Sequence, residues 1–262
     1  MTIGPGVQWG ELYRYVASVN KTIAGGIGAQ GSVGAAGGWP LGGGHNILSP
    51  QLGLGVDNVL QITVVTPDGQ HVTANARRNP DLFWALRGGG GPSFGVVTSL
   101  TYRLHENLPL YAYFFQASFE PENFEKVIST WHSIVPAITD EGWAGYYPFA
   151  NNFLALMYLL RGGDAERANA TSLVRFLDEV QQIPTVQVVT NESKLYPGYY
   201  EWFDENIGNP INVIGFNYTG GAVLGRPTAS ASWLVPRSQF EGEENLAQLA
   251  TAFKDFPIAI GQ

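Results

Sequence analysis

Ten glycines within twenty-one residues set the terms for this chain. They fall in Gly25-Gly26-Ile27-Gly28-Ala29-Gln30-Gly31-Ser32-Val33-Gly34-Ala35-Ala36-Gly37-Gly38-Trp39-Pro40-Leu41-Gly42-Gly43-Gly44-His45. No ordinary helix or strand tolerates that density, because each glycine inside an element costs about 0.5–1 kcal/mol relative to alanine. The stretch is therefore expected to be a loop, non-helical from Ser32 to Gly44, whose backbone bends through positive φ and comes close to something flat or anionic. Ile27, Val33, Trp39 and Leu41 interrupt the glycines, and a solvated Gly/Ser linker lacks such apolar anchors. A buried, ligand-hugging loop is one reading; a tight surface loop without a ligand is the other.

Gly26-Ile-Gly28-Ala-Gln-Gly31 matches the dinucleotide fingerprint G-x-G-x-x-G, but the match is a decoy. That fingerprint needs its glycines to open a helix and an acid about 20 residues on for the ribose. Here the helix is not expected, and Asn46 stands near the place of the acid. A phosphate loop fails too, since no Gly-Lys-Ser/Thr follows. What remains is a non-helical nest of backbone N–H groups approaching a cofactor.

The rest of the composition narrows the classes of function. At 262 residues the chain suits one large domain or two smaller ones. A net charge of −8, with 14 Lys and Arg scattered and forming no basic run, argues against nucleic acid. No apolar run reaches membrane-spanning length, and Met1-Thr-Ile-Gly-Pro-Gly has neither the basic start nor the apolar core of a secretory leader. With no cysteine, the chain holds no disulfide, thiol nucleophile or thiolate metal site. His71, His105 and His132 show no metal-ligand spacing, so no metal is expected. Sequons at Asn20, Asn169, Asn191 and Asn217 tilt only weakly towards a secreted parent.

Glycine usage divides the chain. Residues 1–109 hold 21 of the 33 glycines, and read as short strands tied by tight loops. Val7-Gln-Trp9 is a brief strand and Gly10 to Asn20 a helix with Leu12, Tyr13 and Val16 on one side. Asp57 to Thr66 is a strand, Pro67-Asp68-Gly69 a turn, and Gln70 to Asn75 the antiparallel return. Asn79-Pro80-Asp81 opens a short helix with Asn79 as N-cap, and Arg87 caps its end or binds an anion. Phe94 to Leu104 is a strand, with Val96, Thr98, Leu100, Tyr102 and Leu104 on one face and Val97, Ser99, Thr101 and Arg103 on the other. The second part alternates strands with helices: Leu110 to Ser118, a helix from Pro121 bearing Phe124, Val127, Ile128, Trp131 and Ile134, the strand pair Gly142 to Phe149 and Phe153 to Leu160, and a helix capped by Asp164 through Val180. A strand near Thr185 to Thr190, an aromatic patch from Tyr196 to Phe203, a strand from Ile211 to Asn217 and a helix from Glu243 to Phe253 follow. The pattern is α+β, an antiparallel sheet with helices on one face.

Several segments in fixed order carry a family resemblance: Val7-Gln-Trp9-Gly10-Glu-Leu-Tyr13, Ser32-Val-Gly-Ala-Ala-Gly-Gly38, Leu41-Gly-Gly-Gly-His45, Gly53-Leu-Gly-Val-Asp57-Asn58-Val59, Val64-Val-Thr-Pro-Asp-Gly69, Asn79-Pro-Asp-Leu-Phe-Trp-Ala-Leu-Arg-Gly-Gly-Gly-Gly91 and Phe94-Gly-Val-Val-Thr98. Together they resemble the PCMH-type FAD-binding domain of the vanillyl-alcohol oxidase/p-cresol methylhydroxylase superfamily, in its berberine-bridge-enzyme-like branch of FAD-linked oxidases. The likeness is dense from residue 3 to about 106 and looser through Val223-Leu-Gly-Arg-Pro-Thr and Ser232-Trp-Leu-Val-Pro-Arg237. It implies an FAD-binding domain over 1–106 and a substrate-binding domain over 107–262. The resemblance also implies that Ser32, Val33, Gly34, Gly37, Gly38 and Trp39 pass along the flavin and its pyrophosphate, with Gly42, Gly43 and His45 continuing the wall. Backbone N–H groups there offset negative charge at the flavin N1–C2=O locus on reduction. Gly95, Val96 and Val97 match a strand lying against the cofactor, Gly95 permitting close approach. His45 either braces the loop or borders the flavin, Trp39 packs or stacks, and Asp57 and Asn58 fix a turn. Of Tyr146, Tyr147, Tyr158, Tyr199 and Tyr218, one or two line the substrate pocket and the rest are core.

The chain also departs from the family pattern. Bicovalent members tether FAD through a cysteine just before the Val-Gly-x-x-Gly run, where this chain has Gln30, so a cysteinyl link is ruled out. The histidyl link belongs to an Arg-x-Gly-Gly-His loop that does not occur here, and the family's C-terminal Asn/Tyr-bearing motif does not occur either. The sequence is thus expected to lack the N-terminal subdomain and the C-terminal return, leaving no identifiable catalytic base. Two functional expectations follow. One is an FAD-dependent oxidase passing hydride from an alcohol, sugar or secondary metabolite to flavin N5, with O2 as acceptor and H2O2 as product. The other is a non-catalytic remnant of such an oxidase with weak or no FAD binding.

Overall fold

A computed structural model describes residues 1–91, 93–150, 152–208 and 259–261. They form two compact units, Met1–Leu108 joined by 198–208, and Pro109–Pro197 joined by 259–261. Each is built on its own antiparallel sheet with short or long helices beside it, an α+β arrangement.

In the first unit the elements run β1 (Thr2–Ile3), α1 (Trp9–Ser18), β2 (Lys21–Thr22), α2 (Gly38–Leu41), α3 (Ser49–Leu52), β3 (Val59–Val65), β4 (His71–Asn75), α4 (Pro80–Leu86), β5 (Val96–Tyr102) and β6 (His105–Glu106). The main sheet has the order β1-β5-β3-β4, and β2 pairs with β6 in a small ribbon. Helix α1 begins at Trp9, so Val7-Gln-Trp9 is no strand beyond a single bridge between Gln8 and Gly34. Trp9, Leu12, Tyr13 and Val16, three and four residues apart, are its buried stripe. The Pro67-Asp68-Gly69 turn joins β3 to β4 as expected, with Gly69 at φ 81°. Helix α4 starts where Pro80 predicts, but Asn79 does not cap it. Asn79 sits at φ 49° and its Nδ2 donates to the Thr73 carbonyl at 2.8 Å, tying the helix start to β4 instead.

Strand β5 departs from the expected alternation. Thr63 faces Ser99 and Val64 faces Val97, which leaves Thr98 as a bulge. The extra residue shifts the phase, so Val97 joins Leu100 and Tyr102 in the core while Val96 is 65% exposed.

In the second unit the elements are β7 (Leu110–Ser118), α5 (Phe124–Asp140), β8 (Trp143–Ala150), β9 (Phe153–Arg161), α6 (Ala165–Asn169), α7 (Ser172–Val180), β10 (Gln187–Tyr196) and β11 (Ala259–Gly261), with sheet order β10-β7-β9-β8-β11. Trp131 of α5 is the centre of the layer: its ring lies 5.1 Å from Tyr147, 5.4 Å from Tyr158 and 5.2 Å from Phe176 of α7. Val135 and Ile138 complete the buried stripe of α5 rather than Ile134, which is half-buried. The single helix expected after Asp164 is two. Asp164 caps α6, accepting from Arg167 N at 2.9 Å. Helix α7 then starts afresh where both Glu141 carboxylate oxygens accept from Ser172 N. The strand expected at 185–190 runs longer and later, as β10. The expected strand Ile211–Asn217, the helix Glu243–Phe253, Tyr218 and the segments 223–228 and 232–237 lie outside the described residues.

Candidate functional site

The glycine stretch wraps around one indole. Trp9 stacks on Tyr13 at 5.6 Å, tilts against Tyr102 at 5.5 Å and meets Trp39 edge-on at 4.9 Å; Trp9, Tyr13 and Tyr102 are buried in the interior of the first unit and Trp39 is half-buried. Packing four aromatic rings in one place leaves little room for backbone beside them, and the near half of the stretch supplies backbone without side chains. A Cβ on Gly25 would run into the Trp9 ring and the Tyr13 hydroxyl, one on Gly26 into Trp39 Nε1 at 2.8 Å, and one on Gly28 into Val33. Only Gly31, Gly43 and Gly44 of the ten glycines adopt positive φ, fewer than the sequence leads one to expect. Close packing, not dihedral freedom, accounts for most of the near half.

Four hydrogen bonds then fix the loop to this core. Trp9 N donates to Val33 O at 3.0 Å and Ala35 N to Val7 O at 2.8 Å. The Tyr13 hydroxyl donates to Gly26 O at 3.1 Å, and the Tyr102 hydroxyl, from β5, donates to Ala35 O at 2.7 Å. Burial holds the Tyr102 phenol well above its ordinary pKa, so it remains a donor across the physiological range.

The segment 34–38 behaves differently. Beside Gly34 and Gly38 a Cβ would meet nothing within 4 Å, and neither residue has positive φ. Gly37, between them, also faces open space. Gly34, Gly37 and Gly38 are partly or fully accessible, whereas Ala35 and Ala36 are buried. Among the described residues the N–H groups of Gly34 and Gly37 reach no acceptor of ordinary hydrogen-bond geometry. The loop therefore presents bare backbone and unmatched donors along an open side. Such a surface fits a flat, partly anionic group of the flavin kind.

The stretch contains one helical turn after all, α2, with Gly42 N closing on Gly38 O at 3.0 Å. Pro40 and Leu41 bury this turn against the core. Gly90 N donates to Leu41 O at 2.9 Å, bringing the Gly88–Gly91 loop alongside Gly38–Leu41. Gly43 O and Gly44 O accept from Val56 N and Gly55 N. Asp57 and Asn58 hold that neighbouring turn, as expected: Asp57 Oδ2 accepts from Leu54 N at 2.9 Å, and Asn58 Nδ2 donates to Leu52 O and Leu54 O.

The other expected residues sort as follows. Ser32 is exposed, Val33 half-buried over Gly28, and His45 half-buried. The Trp39 indole is a packing anchor, enclosed by Gly26, Gly44, Gly55 and Trp9. Gly95 makes its close approach to β3, not to an open face: its Cβ would lie 2.6 Å from both Val64 Cγ2 and Val65 O. Val97 is core and Val96 projects outward, while Tyr102, at the far end of the same strand, is the residue that reaches the glycine loop. Arg87 sits at the end of α4 with its guanidinium 4.7 Å over the Phe83 ring, Nη1 donating to Val56 O at 3.4 Å. Tyr147 and Tyr158 face Trp131 on the helix-covered side of their sheet, so they are core; Tyr146, beside Met157, lies on the opposite face. Tyr199 packs against Tyr13 in the first unit at 5.0 Å. His71 and His105 share hydrogen bonds with Thr98 and Asn58. No cluster of metal-ligating side chains occurs among the described residues, and no described helix is long and apolar enough to cross a membrane.

Comparison with known proteins finds flavin-dependent relatives. An FAD binding domain model matches residues 1–75. FAD-linked oxidoreductase OXR2 of Pyricularia oryzae is 32% identical over 99% of this chain, which spans 41% of that relative. FAD-linked oxidoreductase malF of Malbranchea aurantiaca is 45% identical over 54% of this chain and 24% of its own length. The solved structure of VAO-type flavoprotein MtVAO615 from Myceliophthora thermophila superposes with a TM-score of 0.80 at 29% identity, covering 97% of this chain and 44% of that one. Physcomitrella patens BBE-like 1 gives 0.65 at 25% identity over 81% of this chain and 44% of its own.

Proposed function

We propose, from the premise that this chain is a relative of the VAO-type and berberine-bridge-enzyme-like FAD-linked oxidoreductases over less than half their length, that it is part of an FAD-dependent oxidase. The substrate class is an alcohol, sugar or secondary metabolite, and O2 is the acceptor. FAD, when bound, supplies the hydride acceptor and the route of electrons to O2.

This chain's own residues bind and orient. Gly34, Gly37 and Gly38 let the backbone approach the cofactor without an intervening Cβ. The Gly34 and Gly37 N–H groups are donors for its electronegative edge, and a fixed N–H dipole stabilises charge developing there. Ser32, Val33, Gly42, Gly43 and His45 extend that wall, and Trp39 keeps its shape from beneath. FAD is held in this segment without a cysteinyl bond, because the chain has no cysteine. Residues 1–106 are the FAD-binding part and 107–262 the substrate-binding part.

One observation carries the proposal: glycines at 34 and 38 that the protein's own packing does not demand, beside unmatched backbone donors. Purified full-length protein should show flavin absorption and release H2O2 with at least one member of an alcohol and sugar panel. A colourless protein that takes up no added FAD and releases no peroxide would sink the oxidase and leave the non-catalytic remnant.

A further inference from the structure

Tyr102 belongs to no expected site, yet it holds a carbonyl that lies between the open glycine positions 34 and 37. Its hydroxyl donates to Ala35 O at 2.7 Å across 67 residues of sequence, wholly inside the first unit. On the other side of the same residue, Ala35 N donates to Val7 O. Ala35 and Ala36 are buried, and Gly34 and Gly37 on either side are not. Gly34 and Gly37 bracket the Ala35-Ala36 pair, and because glycine places few limits on φ and ψ the pair can turn as a unit between them. If the Ala35 carbonyl swung out, an acceptor dipole would replace donor character on the open side of the loop. The Tyr102 phenol keeps that carbonyl turned inward.

We propose that Tyr102 is a positioning residue for flavin binding, fixing the Ala35 carbonyl in the core so that Gly34 and Gly37 present N–H groups to the cofactor. The inference rests on the flavin reading above. Tyr13 supplies an internal control: its hydroxyl also donates to a carbonyl of the stretch, Gly26 O at 3.1 Å, but in the half packed against Trp9. Each Tyr→Phe change removes a buried hydroxyl and leaves a carbonyl unmatched, so a purely structural role predicts the same consequences for both.

The test uses the full-length protein and reads FAD affinity, melting temperature and the reduction potential of the bound flavin. In Tyr102→Phe, FAD binding should weaken about tenfold or more, and the potential should move to more negative values, because misaligned donors no longer stabilise the reduced, more anionic flavin. Tyr13→Phe should lower the melting temperature to a similar degree and leave affinity and potential at wild-type values. Equal affinity and potential in the two variants would overturn the proposal. Wild-type protein that binds no FAD would remove the flavin reading and this inference together, an outcome distinct from wild-type binding with Tyr102→Phe unaffected. Should Tyr102→Phe not fold, fluorotyrosine at position 102 in otherwise wild-type protein gives a second readout. Its 19F resonance should shift on saturation with FAD, and a resonance indifferent to FAD would overturn the proposal.

Discussion

Two parts of the glycine stretch, residues 25–28 and 34–38, use the same residue for opposite reasons, while Gly44 further on packs against Trp39 as the first part packs against Trp9. In the near half, Gly25, Gly26 and Gly28 are glycine because Trp9, Trp39, Tyr13 and Val33 already fill the space a Cβ would take. In the far half, Gly34 and Gly38 have open space beside them, and on the proposal above their missing side chains leave room for the cofactor. The difference teaches that glycine density alone is not a binding signature. What distinguishes a packing glycine from a ligand-facing one is whether the protein occupies the vacated volume.

The sharpest way to break this comparison is to add a methyl group to each half. Gly25→Ala drives a Cβ into two rigid rings at full burial, and it should lower unfolding stability by about 3 kcal/mol, seen as a loss in denaturant midpoint whether or not FAD is present. A Gly25→Ala variant as stable as wild type would mean the near half is not packed as described.

The second unit supplies a contrast in which no loop is involved. His132 is buried beside Tyr147 at 3.2 Å, and burial pushes its imidazole down to about 4. The folded state therefore prefers the neutral ring while the unfolded chain titrates near 6.5, so stability is full above pH 6.5 and falls as pH drops towards 4. Linkage gives a loss of about 2 kcal/mol at pH 5. Melting temperatures between pH 7 and 5 should show that slope in wild type and lose it in His132→Gln; identical slopes in both would contradict it.

Gly38→Ala is expected to leave the apoprotein's melting temperature close to wild type and to weaken FAD about tenfold, about 1.4 kcal/mol, by fluorescence titration. A stability loss with unchanged FAD affinity would move Gly38 into the packing class. The smallest effect belongs to Gln30, which sits at φ 57° and ψ 16° at the boundary between the halves. Gln30→Gly relieves a left-handed side chain and should raise stability by about 0.5–1 kcal/mol, with FAD affinity unchanged; a lower melting temperature would contradict it.

Much of the fold was legible because local signals and tertiary packing agree there. The stripe Leu12, Tyr13, Val16 sets α1, Asp68-Gly69 turns β3 into β4, and β7 runs over the same nine residues expected from its aromatic content. Legibility failed where one residue changes the register or the partner. The bulge at Thr98 reversed the faces of Val96 and Val97, and nothing in alternating hydrophobicity marks it. Asn79 looked like a cap and became a tie to Thr73, because a left-handed backbone turns its side chain away from the helix. At the candidate site, the sequence pointed to the loop but not to its supports. Trp9 read as part of a brief strand, Tyr13 as one side of a helix and Tyr102 as one face of a strand, and the only trace of a further role is a hydroxyl on Tyr13 and Tyr102 where phenylalanine would have packed equally well.

The most direct measurement of the difference between the halves is FAD titration of full-length Gly34→Ala/Gly38→Ala beside wild type, with the apoprotein melting temperature recorded for each. The account predicts wild-type binding, at least tenfold weaker binding in the double variant, and melting temperatures within a few degrees of one another. Equal FAD affinity in the two proteins would contradict it, and would return the far half of the stretch to the class of loops that face nothing.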